Sequence, residues 1–252
     1  MLDNRTVKRT SYRKINNKPK KTILWYLLLA GSILLIFFAA NRYVSYANGD
    51  ATSVTKTDGS TTSSASTTTT AQKTVCLDPG HGGDDDPGAT NDSVVERDIN
   101  LTVINKIGTL LKSAGYRVVY TKTTADEVLT NTERAAVCNN AKADILVSVH
   151  HNDYTDSVTD YSTVLYYKDS DKKLANTLLD TVSDDLNVTN NGLTTLEDNM
   201  LVKSNMPSAL VEAFFVSSDY EAGLITADNS TRLEDEASAI AEGIESYFAN
   251  NN

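Results

Sequence analysis

The chain has 252 residues, 40% of them hydrophobic and 22% charged, which is enough for one domain of ordinary size with additional segments. Of its 23 basic and 33 acidic residues, 11 and 3 lie before residue 74, which leaves 12 against 30 and a net charge near −18 for the remainder. Such a surface argues against nucleic acid or anionic lipid headgroups as partners, and it is compatible with surroundings rich in divalent cations.

The first 41 residues predict a basic arm followed by a membrane anchor. Residues 1–21 carry eight basic side chains against the single acid Asp3, too polar a composition to bury a core. Residues 23–40 carry no charge, and as a helix they would reach roughly 27 Å, close to the thickness of the hydrocarbon core of a bilayer. We therefore interpret 22–41 as a transmembrane signal-anchor helix with 1–21 in the cytoplasm, because basic residues precede the apolar run. The alternative is a secretory signal cleaved after Ala47.

Residues 42–73 predict a flexible linker outside the cytoplasm. About half of the side chains between residues 48 and 73 are Ser or Thr, and almost none can contribute to a core. A stalk that carries O-linked sugars has the same composition. The sequence therefore predicts that residues 74–252 form the folded domain.

In that domain, short β-branched segments alternate with segments of helical periodicity. This alternation predicts the α/β class: a single, largely parallel, twisted sheet of about six strands flanked by helices. The predicted strands are 74–77, 117–121, 144–149, 162–167, 200–203 and 208–214, and the predicted helices are 99–114, 130–140, 173–186 and 233–248. Thr130 with Glu133 three residues later is a capping-box pattern.

All three histidines of the chain fall at the predicted ends of strands. His81 follows the first strand, and His150 and His151 end the third. In open α/β sheets, ligand sites lie beyond the carboxyl ends of the strands. Together with Glu96, two imidazoles would give the His₂Glu ligand set of hydrolytic zinc sites, which leaves a fourth position for water. Each histidine alone is more often a structural residue.

Four motifs in order resemble the zinc-dependent N-acetylmuramoyl-L-alanine amidases of the amidase-3 type: DPGHGG with a following PGA, then ERDINL, SVHHND and PSALVEAFF. The resemblance covers residues 74–248. It implies an enzyme that uses Zn²⁺ and acts on peptidoglycan, cleaving the amide bond between N-acetylmuramic acid and the L-alanine of the stem peptide. It makes His81, Glu96 and His150 the zinc ligands and Glu212 the catalytic carboxylate.

The sequence departs from the family pattern at four places. His151 stands at a usual alanine position, and we expect a polar residue at the rim of the site rather than a ligand. Phe214 stands at a glycine position and Ser218 at an asparagine position, and an acidic pair around Asp84 lengthens the first loop.

The sequence alone leaves several alternatives open. One is a zinc-dependent peptidase or deacetylase acting on other wall bonds. Another is a catalytically silent wall-binding regulator of the same fold, which missing ligands would indicate; here the ligands are present, and only the altered residues after Glu212 point in that direction. Glu212 in its apolar segment could be a structural acid paired with Arg134 or Lys203. Cys76 and Cys138 either form one disulfide or remain buried thiols.

Overall fold

The computed structural model of the protein describes residues 72–91 and 93–251. The predicted arm, the predicted anchor and almost all of the predicted linker lie outside these ranges. Within the ranges, none of the helices combines the length and the apolar character that a membrane span requires.

The described part of the chain alternates strands with helices. Its elements, in chain order, are β1 (Thr74–Pro79), β2 (Thr90–Asn91), β3 (Val94–Val95), α1 (Glu96–Ser113), β4 (Arg117–Tyr120), α2 (Asn131–Asn140), β5 (Ile145–Asn152), β6 (Ser162–Tyr166), α3 (Lys172–Leu186), β7 (Asn190–Thr195), α4 (Asn199–Lys203), β8 (Ser208–Phe215), α5 (Asp219–Thr226) and α6 (Arg232–Ala249).

Six strands form one sheet in the order β4-β1-β5-β8-β6-β7, and β2 pairs with β3 in a separate small hairpin. The pairs β1–β4, β1–β5, β5–β8 and β6–β7 are parallel, and β6 runs antiparallel to β8. The predicted fold class, a largely parallel six-stranded sheet flanked by helices, is confirmed. The capping box at Thr130 is also present and begins α2.

Two differences from the prediction concern the strands of the sheet; the β2–β3 hairpin and α5 were not predicted either. The apolar segment predicted as a strand at 200–203 is the short helix α4, because the Asp198 side chain accepts a hydrogen bond from the Met200 amide and caps a helical turn. The sixth strand of the sheet is instead β7, which the prediction missed. Its sequence, NNGLTT, is polar and mostly exposed at the edge of the sheet, so it lacks an apolar alternation.

The sheet lies between two apolar layers of unequal size. The larger core packs α1, α3 and α6 against one face, and the smaller core packs α2 and α4 against the other. Alternate residues of a strand point to opposite faces, so Val147 and Val149 of β5 join the larger core while Leu146 joins the smaller one. The same alternation separates the side chains of His150 and His151.

A disulfide joins Cys76 of β1 to Cys138 of α2, with the two Cα atoms 5.6 Å apart. Both residues are fully buried in the smaller core. Of the two possibilities that the sequence left open, the structure contains the disulfide.

Candidate active site

Three elements bring His81, Glu96 and His150 together. His81 lies two residues beyond the end of β1, Glu96 is the first residue of α1, and His150 lies near the end of β5. One candidate ligand atom from each residue lies within 4.8 Å of the other two. The three side chains selected from the sequence therefore form one compact group.

The Glu96 carboxylate is the centre of this group and is 2% exposed. Its Oε1 atom lies 3.1 Å from Nε2 of His81 and 3.1 Å from Nδ1 of His150. The Ala89 amide donates to Oε2 at 2.7 Å. Burial by itself raises the pKa of this carboxyl, but hydrogen bonds and charge from His150 and His81 outweigh burial and hold it below its usual value.

The ring of His81 is oriented from both sides. Its Nδ1 lies 2.7 Å from Oδ1 of Asp86, while Nε2 faces Glu96. Burial lowers the pKa of His81, but the hydrogen bonds and charges of Glu96 and Asp86 prevail and raise it to about 9. A carboxylate on the far nitrogen is the usual partner of a metal-binding histidine, because it fixes the ring and its tautomer. Sequence reasoning missed Asp86, although an acid five residues after a candidate ligand was the available signal.

A buried arginine fixes the loop that carries His81. Arg134 of α2 donates from Nη1 to Oδ1 of Asp78 and to the carbonyl of Pro79, both at 2.8 Å, and from Nη2 to the carbonyl of His81 at 2.8 Å. Asp78 also accepts a hydrogen bond from the Ser148 hydroxyl of β5 at 2.6 Å. These charge-assisted bonds hold His81 with a φ of 62°, a left-handed conformation that is uncommon outside glycine.

Glu212 lies in β8 directly beside His150, its register partner in β5. Its Oε2 atom is buried and has no hydrogen-bond partner within residues 72–91 and 93–251. The suggested ion pair with Arg134 is not formed, since Arg134 is paired with Asp78. Burial raises the pKa of Glu212, the charge of His150 opposes that rise, and the charge of Glu96 adds to it. A buried carboxyl oxygen without a partner is poised to exchange a proton.

His151 is not at the rim of the site, as the sequence suggested, but 2% exposed within the larger core. Its Nδ1 lies 2.7 Å from Oδ1 of Asn100 and its Nε2 lies 3.0 Å from Oε2 of Glu236. The ring packs against Phe214, with the ring centroids 4.4 Å apart. Strand alternation explains the correction, because consecutive residues of β5 face opposite sides of the sheet.

A cleft of about 340 Å³ opens over the group. Glu212, His81 and His150 line it, together with residues that include Leu129, Asn131, Leu196, Asp198 and Met200. The cleft lies beyond the carboxyl ends of β1, β5 and β8, where ligand sites of open α/β sheets are expected.

The donor set fits a metal ion of the zinc type. Two imidazole nitrogens and a carboxylate oxygen are the ligands that hydrolytic zinc sites use, and a fourth position is left for a reactant. Two of the three donors also have an outer partner that fixes them, namely Asp86 behind His81 and the Ala89 amide behind Glu96.

Comparison with known proteins agrees with this geometry. A family model described as N-acetylmuramoyl-L-alanine amidase (Amidase_3) matches residues 75–246. The chain is 30% identical to an N-acetylmuramoyl-L-alanine amidase from Clostridium difficile 630, with a TM-score of 0.66, and the match covers 72% of this chain and 99% of that one. The catalytic domain of CwlV from Bacillus (Paenibacillus) polymyxa var. colistinus gives 27% identity and a TM-score of 0.65, over 71% of this chain and 99% of that one.

Curated relatives match over shorter stretches. The uncharacterized protein YqiI of Bacillus subtilis is 35% identical over 109 residues, which is 42% of this chain and 52% of YqiI. The probable cell wall amidase LytH of Staphylococcus saprophyticus is 34% identical over 108 residues, and the match spans only 35% of LytH. The family match nonetheless extends over well more than half of the chain and includes every residue of the site. The chain belongs to the N-acetylmuramoyl-L-alanine amidase family.

Proposed function

We propose that the protein hydrolyses the amide bond that joins the lactyl group of N-acetylmuramic acid to the L-alanine of the stem peptide in peptidoglycan. The observation that carries the proposal is the meeting of His81, Glu96 and His150 beside Glu212 in one cleft. The family to which the chain belongs supports the choice of bond.

In this proposal His81, Glu96 and His150 hold a zinc ion. When bound, zinc acts as a Lewis acid toward the amide carbonyl and lowers the pKa of water toward neutrality. The protein contributes the fixed geometry. Asp86 orients the His81 ring, and the Arg134 network holds the loop that presents it, so the ligands need little rearrangement.

Glu212 is the group that moves the proton. Its buried oxygen without a partner can accept the proton of the attacking water and then deliver it to the nitrogen of the departing amine. The C–N bond breaks, a C–O bond forms, and one water is consumed. The products are a lactyl carboxylate on the sugar and a free L-alanine amino group on the peptide.

Mass spectrometry of the soluble products after digestion of purified peptidoglycan by the full chain tests the proposal. We expect intact stem peptides with free N-terminal L-alanine and glycan strands that keep their N-acetyl groups. Released acetate would identify a deacetylase, and new termini within the peptide would identify a peptidase. Either result overturns the assignment, as does the absence of any product from a metal-loaded, folded sample.

We also propose that residues 22–41 anchor the protein with residues 1–21 in the cytoplasm and the catalytic domain outside. The uncharged run at 23–40 and its basic flank support this proposal. We expect the full-length chain to sediment with membranes and its catalytic domain to be digested by protease added to intact cells stripped of their wall. A soluble form beginning just after Ala47 would instead show a cleaved signal.

Gly88 gives a sharper test of the ligand geometry. Its φ is +71°, and an added Cβ would come within 2.4 Å of Glu96 Oε2 and 2.6 Å of His81 Cδ2. We therefore expect Gly88→Ala to displace two ligands and to weaken zinc binding by roughly tenfold or more. Titration with Zn²⁺ against a competing chelator measures this change.

Gly115→Ala is the matched control for this variant. Gly115 has a φ of +93°, but nothing lies within 4 Å of the added Cβ. It should lose about 1 kcal/mol of stability through backbone strain and keep its affinity for zinc. Equal affinities in the two variants would show that Gly88 does not shape the site.

A further inference from the structure

A buried pair of ionisable side chains lies behind the candidate metal site, and neither the proposed ligands nor the proposed proton transfer uses it. His151 of β5 and Glu236 of α6 meet with Nε2 and Oε2 3.0 Å apart, and both side chains are 0% exposed. Isolated charges at this depth are costly, whereas a hydrogen-bonded pair offsets much of the cost. The pair connects the sheet to α6, the last helix of the described chain.

The hydrogen-bond network fixes the proton on one nitrogen of His151. The amide nitrogen of Asn100 donates to the Gly80 carbonyl and to Glu96 Oε1, each at 3.3 Å. The amide oxygen of Asn100 therefore faces His151, whose Nδ1 must donate to it. On the other side of the ring, Nε2 shares a proton with Oε2 of Glu236 across 3.0 Å, so both ring nitrogens are held.

This network reaches the metal ligand by two routes. Through its ring, His151 orients Asn100, which donates to Oε1 of Glu96. Through its backbone, the amide of His151 donates to the same oxygen at 3.1 Å. That oxygen is the one that faces both candidate imidazole ligands. Four side chains thus connect α6 to the centre of the site.

Packing holds the His151 ring in the plane that these bonds require. Phe214 of β8 lies against it, with ring centroids 4.4 Å apart. The guanidinium of Arg232, one turn before Glu236 on α6, lies 5.2 Å from the centroid of the Phe214 ring. The last helix therefore supports the ring directly through Glu236 and indirectly through Phe214.

We propose that His151 and Glu236 are positioning residues for metal binding: Glu236 fixes the His151 ring, and His151 fixes Glu96 through Asn100. The pair touches neither the metal position nor the substrate cleft. This proposal rests on the proposed metal site, and it assigns to α6 a part in the affinity for the metal. Outer partners of metal ligands typically contribute 10–100-fold to affinity.

The double variant His151→Phe/Glu236→Leu separates positioning from packing. Replacing a buried ion pair by apolar side chains of similar volume is often neutral for stability, and an aromatic ring at 151 keeps the contact with Phe214. The full chain is stripped of metal and titrated with Zn²⁺ against a competing chelator, and Co²⁺ absorption reports the ligand geometry. We expect a folded protein whose dissociation constant for Zn²⁺ rises about tenfold or more, with an altered Co²⁺ spectrum.

Two single variants of Glu236 complete the test. Glu236→Gln can donate to Nε2 while Nδ1 keeps its proton, so its affinity should stay within about threefold of the wild type. Glu236→Ala lets the ring turn and should lose affinity by roughly tenfold, which decides the question if the double variant does not fold. Glu242→Gln, which changes an exposed acid on the same helix, is the control and should leave the affinity for Zn²⁺ unchanged.

The outcomes are distinct. A folded double variant with wild-type affinity and an unchanged Co²⁺ spectrum would show that the pair only supports packing. If Glu236→Gln loses as much affinity for Zn²⁺ as the double variant does, the negative charge of Glu236 is what matters, and the proposed positioning role is wrong. If the wild type itself binds no Zn²⁺, the failure lies in the proposed metal site.

Discussion

Replacing His81, Glu96 or His150 by Ala is expected to remove the bound metal and to lower the rate of amide hydrolysis by roughly a thousandfold or more. The three donors meet within 4.8 Å, so deleting any one leaves two, too few for a hydrolytic zinc site. The loss of a Lewis acid costs several kcal/mol of transition-state stabilisation, and each 1.4 kcal/mol is a factor of ten in rate.

Metal content and the release of stem peptides should be measured on the same samples. Asp84→Ala is the control, because Asp84 lies in the same loop as His81 and its side chain is 99% exposed. It should retain metal and activity. If any of the three ligand variants keeps a full equivalent of zinc, that residue is not a ligand and the alignment of its motif is shifted.

Changing Glu212 to Gln is expected to lower turnover by about a hundredfold to ten-thousandfold, the range for loss of a positioned general base. Glutamine keeps the size of the side chain and removes its basicity, so the fold and the bound metal should survive. We expect the fold to survive because the Oε2 atom of Glu212 has no hydrogen-bond partner in the described residues, so the substitution removes no structural hydrogen bond there.

Turnover should be compared at saturating substrate, with zinc content and thermal stability recorded in parallel. The matched control is Glu197→Gln, an acid one residue from Leu196 in the wall of the cleft. We expect near-normal turnover from the control. A folded, metallated Glu212→Gln protein with near-normal turnover would show that another group takes the proton from water.

The sequence predicted the elements whose burial leaves an apolar run or an apolar period. The segments of β1, β5 and β8 are almost continuously buried, and the apolar spacing of α1, α3 and α6 marks the faces that cover the larger core. The edge strand β7 and the capped turn of α4 left no such signal. Their conformations depend on sheet pairing and on one aspartate cap rather than on periodicity.

Of the candidate site, only the residues that lie within the four sequence motifs could be predicted. His81, Glu96, His150 and Glu212 follow from strand ends and from family resemblance, and the structure brings them together. Apart from Asp86, the residues that support the site from distant parts of the chain could not be predicted. Arg134 lies 53 residues from the carbonyl that it holds, and Glu236 lies 85 residues from His151, so only the fold makes them neighbours.

The disulfide between Cys76 and Cys138 has a consequence for the unfolded chain. It closes a loop with a sequence separation of 62 residues, and the lost chain entropy corresponds to about 4 kcal/mol in favour of the folded domain. Cys138 lies one helical turn after Arg134, so the crosslink also holds α2 against the strand that leads to His81. The stability of the folded domain thus depends on the redox potential of its surroundings. In a strongly reducing medium the disulfide is broken, the denatured ensemble regains its chain entropy, and the domain loses this stabilisation.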